Sequence, residues 1–345
     1  MGAGPITEQI QRESNTQVLD WKDAIYTKEA VDHPFLTMVK TGKKPVQIEA
    51  NWPIMTRDIG AINGMADGAA TTTFGHQGRT RLKSVSQELR EAWKVTNQAE
   101  VTDTWGVKDE VQFQKAEALI RLRLKLERLF LSTQDIAREG VSGATENLLR
   151  GVGRWLEPDA ADLNAEYPIP DGYRVSSSCL HTGALSALYD STFEAMLAAA
   201  ANQRARAVTI DLFASLALQA QMADWTQHDP NISASIAAVN RYNIDLVKQG
   251  YINLVQFFTF HAGKVRTHTS YNLFYTPSTG AVSTQTTLGG YGLDMENGWE
   301  VRFNRAISHQ DLPNDGGGPR GQWLTILTLA CQMPAGQLVV YPSGA

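Results

Sequence analysis

Apolar and polar positions change their period several times along the chain. Val46, Ile48, Ala50 and Trp52 alternate with Gln47, Glu49 and Asn51, the period of a strand with one buried face. A second alternating run covers residues 87–96, where Leu89, Trp93 and Val95 interleave with Glu88, Arg90 and Lys94, and it is the expected partner of the first. Between them, residues 53–86 are rich in Gly, Ala and Thr, most densely in Gly60–Thr73. A structureless loop of more than about 15 residues is uncommon inside a compact domain. This one is too apolar for a plain linker, so the pattern predicts a two-stranded flap, paired at its base, whose tip projects from the body. Such a flap is marginal alone and needs another surface to lie on.

The strongest helical period begins near Lys108, after Thr104-Trp105-Gly106, and is expected to run to about residue 138. Leu119, Leu122, Leu126 and Leu129 recur at spacings of three and four, while Arg121, Lys125 and Arg128 keep other faces polar. At about 1.5 Å per residue such a helix spans roughly 45 Å, enough to cross a whole domain. Glu139-Gly140-Val141-Ser142-Gly143 then breaks the period, residues 147–156 return the chain to a packed surface, and residues 158–174 read as loop. A second amphipathic helix is expected over 191–206, with Ser191 as cap and Glu194 at the capping-box position. A strand over 207–213 and a helix over 214–225 follow.

The last third is β-rich, with strand signals at 255–260, 265–271, 299–305, 322–331 and 337–341. Ala262-Gly263 reads as a hairpin turn, and Asp315-Gly316-Gly317-Gly318-Pro319 joins two late strands. Without an internal repeat or a clean linker, a second domain has to be inserted within the first. The expected class is α+β.

The first 32 residues form a polar arm carrying Glu8, Glu13, Asp20, Asp23, Glu29 and Asp32, with Trp21 among its few apolar positions and one short helix expected over 18–27. An arm so composed cannot bury itself; it is either a disordered tail or a segment that lies on a neighbouring subunit. It ends at Asp32-His33-Pro34-Phe35-Leu36, where Pro34 disfavours helix at His33 and Phe35 and Leu36 supply a core anchor. On the return of the flap, Arg79, Arg81, Lys83, Arg90 and Lys94 outweigh Glu88 and Glu91. That face is either solvated or matched to an acidic partner surface.

Composition narrows the function classes. Of 345 residues, 43% are hydrophobic, enough for a substantial core. No stretch approaches the roughly 18 uncharged apolar residues of a membrane span, and the N-terminus lacks the basic start and apolar run of a secretory signal, so a cytoplasmic product is expected. The formal charge of −5 argues against a broad grip on nucleic acid. Cys179 and Cys331 have no metal or redox spacing. His261 and His268 could face each other across a hairpin, but no acid or thiolate stands beside them in sequence, and Cys179 with His181 lacks an orienting third group. The glycines at 289, 290 and 292, and at 316–318, lack the lysine and the strand–helix frame of a phosphate loop. No catalytic, cofactor-binding or metal-ligating residue is singled out, and no cofactor or enzymatic activity is expected.

The order of parts resembles the HK97-like fold of tailed-bacteriophage capsid proteins, and within it the podovirus-type major head proteins. The resemblance rests on His33-Pro34-Phe35-Leu36 followed by Gly42-Lys43, on the tract Gly64–Thr73 with Arg79-Thr80-Arg81, and on Lys108-Asp109-Glu110 through Arg128. It continues through Arg150-Gly151-Val152-Gly153-Arg154-Trp155-Leu156, Gly263-Lys264-Val265, and Leu324–Leu329 with Pro334-Ala335-Gly336. It implies an N-terminal arm (1–45), an extension loop (46–98), a peripheral domain with a spine helix (99–190, helix about 108–138), an axial domain (191–295) and a return to peripheral strands (296–345). It also implies a major capsid protein that assembles as hexamers and pentamers into an icosahedral head around double-stranded DNA. The implied partners are further copies of the chain, the portal, and scaffolding or decoration proteins; assembly would take place in the host bacterial cytoplasm, with the virion capsid as destination. Arg79, Arg81, Lys83, Met65, Phe74 and Trp21 are the expected intersubunit contacts. An encapsulin-type nanocompartment shell is the alternative, and an unrecognised soluble enzyme the third reading.

Overall fold

The computed structural model describes residues 33–55, 78–101, 109–157, 165–204, 208–227, 257–260, 263–273, 289–314 and 316–341. The expected arm helix at 18–27, the tract 60–73 and the loop 158–164 lie outside these residues, as do Trp21, Met65 and Phe74. In chain order the elements are α1 (Pro34–Met38), β1 (Lys40–Thr41), β2 (Glu49–Ile54), β3 (Thr80–Val85), β4 (Gln87–Lys94), α2 (Asn97–Val101), α3 (Glu110–Phe130) and α4 (Val152–Trp155). They continue with β5 (Leu180–His181), α5 (Asp190–Arg204), β6 (Val208–Ala214), α6 (Leu216–Gln227), β7 (Phe257–Phe260), β8 (Gly263–Thr269), β9 (Gly290–Leu293), β10 (Trp299–Asp311), β11 (Arg320–Cys331) and β12 (Leu338–Val340).

Three sheets form. A four-stranded sheet has the order β1-β10-β11-β4, a six-stranded sheet the order β5-β12-β9-β6-β8-β7, and β2 and β3 make a two-stranded hairpin. In the first, β10 and β11 are the long antiparallel pair, with Val301 opposite Leu329. In the second, β6 runs parallel to β8 and antiparallel to β9. The last strand, β12, joins this sheet between β9 and β5 and does not lie beside β11.

The helix α3 begins where Asp109 accepts the Gln112 N–H at 3.1 Å, an N-cap that satisfies one orphan donor. Ala118, Leu122, Leu126, Leu129 and Phe130 bury one face. The expected extension to residue 138 does not occur. The helix stops at Phe130, because the Ser132 hydroxyl donates to the Leu129 carbonyl at 2.7 Å and the chain then turns to place Ala137 against Leu148 in an isolated bridge. Its 21 residues span about 31 Å, two thirds of the expected length.

The expected pairing of the two alternating runs is also corrected. Residue for residue, β2 pairs with β3, Glu49 opposite Val85 and Trp52 opposite Leu82, whereas β4 pairs with β11, Leu89 opposite Thr325. Between β3 and β4 the chain passes through Ser86 alone, so one nearly continuous extended run leaves the hairpin and enters the sheet. The Ser84 hydroxyl bonds Thr328 Oγ1 at 2.7 Å and the Leu329 carbonyl at 3.0 Å, tying the hairpin to β11. Both runs form strands, the first from Glu49 onward; which strand each pairs with is a matter of long-range contact.

The second helix starts one residue before the expected Ser191 cap: Asp190 is its first residue and its carboxylate accepts the Ser191 N–H at 2.6 Å. At its other end the buried Arg204 guanidinium meets the buried Asp294 carboxylate and reaches the carbonyls of Met333 and Ala335. The hairpin expected around Ala262-Gly263 is present, with Phe260 opposite Gly263, but Gly263 is the first residue of β8.

One apolar core runs through both larger sheets. Phe35 sits at its junction, with ring centroids 5.7 Å from Phe130, 5.6 Å from Phe213 and 6.3 Å from Trp299. The side chain of Phe35 therefore joins α1 to α3, β6 and β10.

Candidate assembly surfaces

A clamp holds the start of α1 on the body. Glu127 lies on the buried face of α3, and its carboxylate accepts the backbone N–H of Phe35 at 2.9 Å and of Leu36 at 2.8 Å. Pro34 makes the first helical position one without an N–H, and the two that follow find the carboxylate. Burial pushes the Glu127 carboxyl up to about 7, against the opposing pull of these two hydrogen bonds. Beyond α1 the chain pairs in parallel with β10 through β1, and Gly42 donates to the Val301 carbonyl at 2.8 Å. Residues 40–42 are thus fixed on the edge of the four-stranded sheet. Sequence reasoning missed Glu127; the available signal was a carboxylate set among the apolar positions of the helix.

The base of the hairpin is held by charge and by stacked rings. Glu49 receives both Lys83 and Arg138, each at 3.4 Å. Trp52 packs 5.9 Å from Trp155, and the Arg302 guanidinium lies 5.2 Å above its ring. Behind Trp155 the buried Arg150 pairs with Asp135 at 3.3 Å and donates to the Tyr167 carbonyl at 2.8 Å. Burial lowers its pKa to about 10, with Asp135 acting the other way. Glu91 of β4 meets Arg121 and Lys125 of α3. These side chains make a rigid platform from which the hairpin leaves.

Of the expected contact residues, Arg79 and Arg81 are exposed and have no ion pair among the described residues. Lys83 is engaged within its own chain by Glu49. The alternation over 46–54 also divides in two. Ala50 and Trp52 are buried as expected, and Ile54 beyond them is buried too, but Val46 is 96% and Ile48 53% exposed, so the expectation that all share the core face fails at its first two positions. Nothing in the described chain covers them.

Ile48 opens onto a groove of about 540 Å³ between β4 and the 139–147 turn. Ile48 and Ile326 give it an apolar floor, and Glu88, Glu139 and Glu146 line its rim with Arg90.

The clusters considered for chemistry resolve differently. His268 has an acidic neighbour after all, since its Nε2 is 3.1 Å from Asp211 Oδ1 on the adjacent strand β6, and Arg266 shares that carboxylate. His261 lies outside the described residues, and among those described no group of three or more His, Cys, Asp or Glu side chains could hold a metal ion. Burial pushes the Cys179 thiol up to about 11, which leaves it protonated and opposite Gln203. No helix among the described residues is long and apolar enough to cross a membrane.

A model of the SU10 major capsid protein family matches residues 6–341. The chain belongs to that family. It is accordingly a major capsid protein of a tailed phage, a component of the phage capsid from a structural family and not an enzyme family, and this reading stands over the encapsulin and soluble-enzyme alternatives. Among solved structures, the capsid asymmetric unit of cyanophage A-1(L) superposes with a TM-score of 0.61 at 12% identity, over 95% of this chain and 97% of that one. The capsid of cyanophage P-SCSP1u gives 0.59 at 10% identity, over 96% and 94%. Mycobacterium phage Adephagia gives 0.58 at 12% identity, over 99% of each chain. At such identities the likeness is one of fold, and the fold of this SU10-family capsid protein is HK97-like. Among curated proteins none matches the chain in sequence.

Proposed function

We propose that this capsid protein builds its shell from hexamers and pentamers, using the arm and the hairpin as straps laid across neighbouring copies. On this reading residues 1–45 are the arm, 46–98 the extension loop, 99–190 and 296–345 the peripheral domain, and 191–295 an axial domain gathered at the capsomer centre, with β12 as a strand returned to the axial side. The single observation that carries the proposal is the β2–β3 hairpin. It has only two strands, it leaves the body from a braced platform, and its basic end carries Arg79 and Arg81 into solvent. A two-stranded element is marginal in water unless a further surface covers it.

The shell encloses double-stranded DNA without reading its sequence. The formal charge of −5 supports loose contact, since tight binding would need many unpaired Lys and Arg facing the phosphates. The portal and scaffolding or decoration proteins are the further partners, and assembly takes place in the host cytoplasm.

Negative-stain electron microscopy of the purified chain beside its size-exclusion profile tests this. Closed shells, tubes or rings of five and six are the expected result. A compact monomer that persists at high concentration with a crowding agent would overturn self-assembly by the chain alone.

A further inference from the structure

We propose that the groove floored by Ile48 and Ile326 is the seat for the basic end of the hairpin, Gly78–Arg81, of a second copy of this chain. The inference rests on the shell reading and specifies the receiving surface, to which neither the family match nor the fold assigns a place.

The argument begins with charge. Three carboxylates, Glu88, Glu139 and Glu146, stand at the groove against one guanidinium, that of Arg90. Arg90 is already taken by Glu88 at 2.6 Å, which leaves Glu139 and Glu146 exposed and without an ion pair among the described residues. Arg79 and Arg81 are the complementary case, exposed guanidiniums without a carboxylate among the described residues. Both sets sit on braced backbone. The 139–147 turn is closed by the Ala137–Leu148 bridge and by Glu139 N–H donating to Asn147 Oδ1 at 3.0 Å, and Arg81 lies within the paired register of β3.

Reach then excludes a contact within one chain. Ser86 lies at the groove, and from it to Arg79 the strand runs seven residues in extended form, about 23 Å at roughly 3.3 Å per residue. That separation exceeds the combined length of an arginine and a glutamate side chain, so the Arg79 guanidinium meets Glu139 and Glu146 on another molecule.

The apolar floor supplies the third term. Ile48 continues the buried alternation of Ala50, Trp52 and Ile54 yet is left 53% exposed. A strand laid over it removes that surface from water while its arginines reach the rim. Apolar centre and charged rim are the usual anatomy of a protein–protein contact, with the charges setting register and excluding wrong partners.

The test uses full-length chains. One carries Arg79→Cys, a second Glu146→Cys; they are assembled together and treated with a short bismaleimide, with Cys179 and Cys331 buried and silent. A covalent dimer on a denaturing gel, present only when both variants are mixed, is the expected result. Shells that form from the mixture without that dimer would overturn the proposed seat and leave the shell reading intact, whereas wild-type chains that never assemble would count against the shell reading itself. Dimers from the Glu146→Cys chain alone would place groove against groove and equally overturn it. As a second measurement, Glu139→Lys with Glu146→Lys, both on exposed positions, should leave the subunit folded by circular dichroism and cut shell yield by about tenfold or more. Adding Arg79→Glu and Arg81→Glu to the same chain should restore shells; no restoration counts against the pairing.

Discussion

The carboxylate of Glu127 accepts the backbone N–H of Phe35 at 2.9 Å, so α3, the longest helix among the described residues, holds α1 directly by its main chain. Phe35 is fully buried, and the Leu36 N–H completes the clamp on the second carboxylate oxygen. An ionisable group is thereby kept inside the core at a position where it fixes the backbone of Phe35 and Leu36.

The clamp makes stability depend on pH. The folded-state pKa of Glu127 is raised from an ordinary 4.5 to about 7, so between these values the folded chain binds the proton that the unfolded chain releases. Stability should therefore fall as pH rises from about 4.5 to about 7, by at most about 3 kcal/mol for a shift of this size. Glu127→Gln should flatten this part of the curve, measured as thermal midpoint against pH; an unaltered slope would remove Glu127 as its source.

Leu122 is fully buried in the middle of the apolar face of α3. Leu122→Asp buries an unpaired carboxylate there and should prevent folding, whereas Leu122→Ala should fold with a loss of about 3 kcal/mol. Soluble yield and cooperative melting report both; an unchanged midpoint for either would mean that this face is not packed.

Gly151 and Gly153 bring the backbone of α4 against Ser132. The Gly153 N–H donates to the Ser132 carbonyl at 3.0 Å, and a Cβ on Gly151 would collide with the same carbonyl oxygen. Gly151→Ala should cost about 2 kcal/mol, a strain cost of overpacking, although the backbone angle itself suits alanine. Chemical denaturation measures it, and a shift below experimental error would show that the α3–α4 junction relaxes freely.

His309 Nε2 accepts the indole N–H of Trp93 at 3.1 Å, and its Nδ1 lies 3.5 Å from Asp311. Burial and Lys115 hold its pKa below the usual histidine value, with Asp311 opposing. The folded chain thus resists the proton that the unfolded chain takes up, and stability should fall as pH drops below about 6.5. His309→Gln should remove that loss; a midpoint that drops equally in the variant would assign the effect elsewhere.

Replacing residues 56–77 by two glycines should leave β2 and β3 paired and the subunit folded, with shells absent by electron microscopy. Normal shells from that chain would contradict the strap role of the segment.

Much of this protein is legible in its sequence because local rules suffice for it. The leucine period of 119–129, the burial of Ala50 and Trp52, the alternation of 87–96, and the hairpin before Gly263 each follow from chain geometry and burial, and each is present. The end anchor His33-Pro34-Phe35-Leu36 is legible for the same reason, since Pro34 limits the local backbone and Phe35 must be buried.

What tertiary structure alone decided is which of these elements meet. The sequence pattern does not say that β2 pairs with β3 and β4 with β11, because strands of equal period are interchangeable until side chains such as Ser84 and Thr328 come together across the fold. Nor does it show that the long helix stops at Phe130, where a hydroxyl two residues on competes for a helix carbonyl, or that Glu127 faces two distant N–H groups. It marks Val46 and Ile48 as buried, and the described residues leave them open, because a period of two shows which residues share a face and not what covers that face.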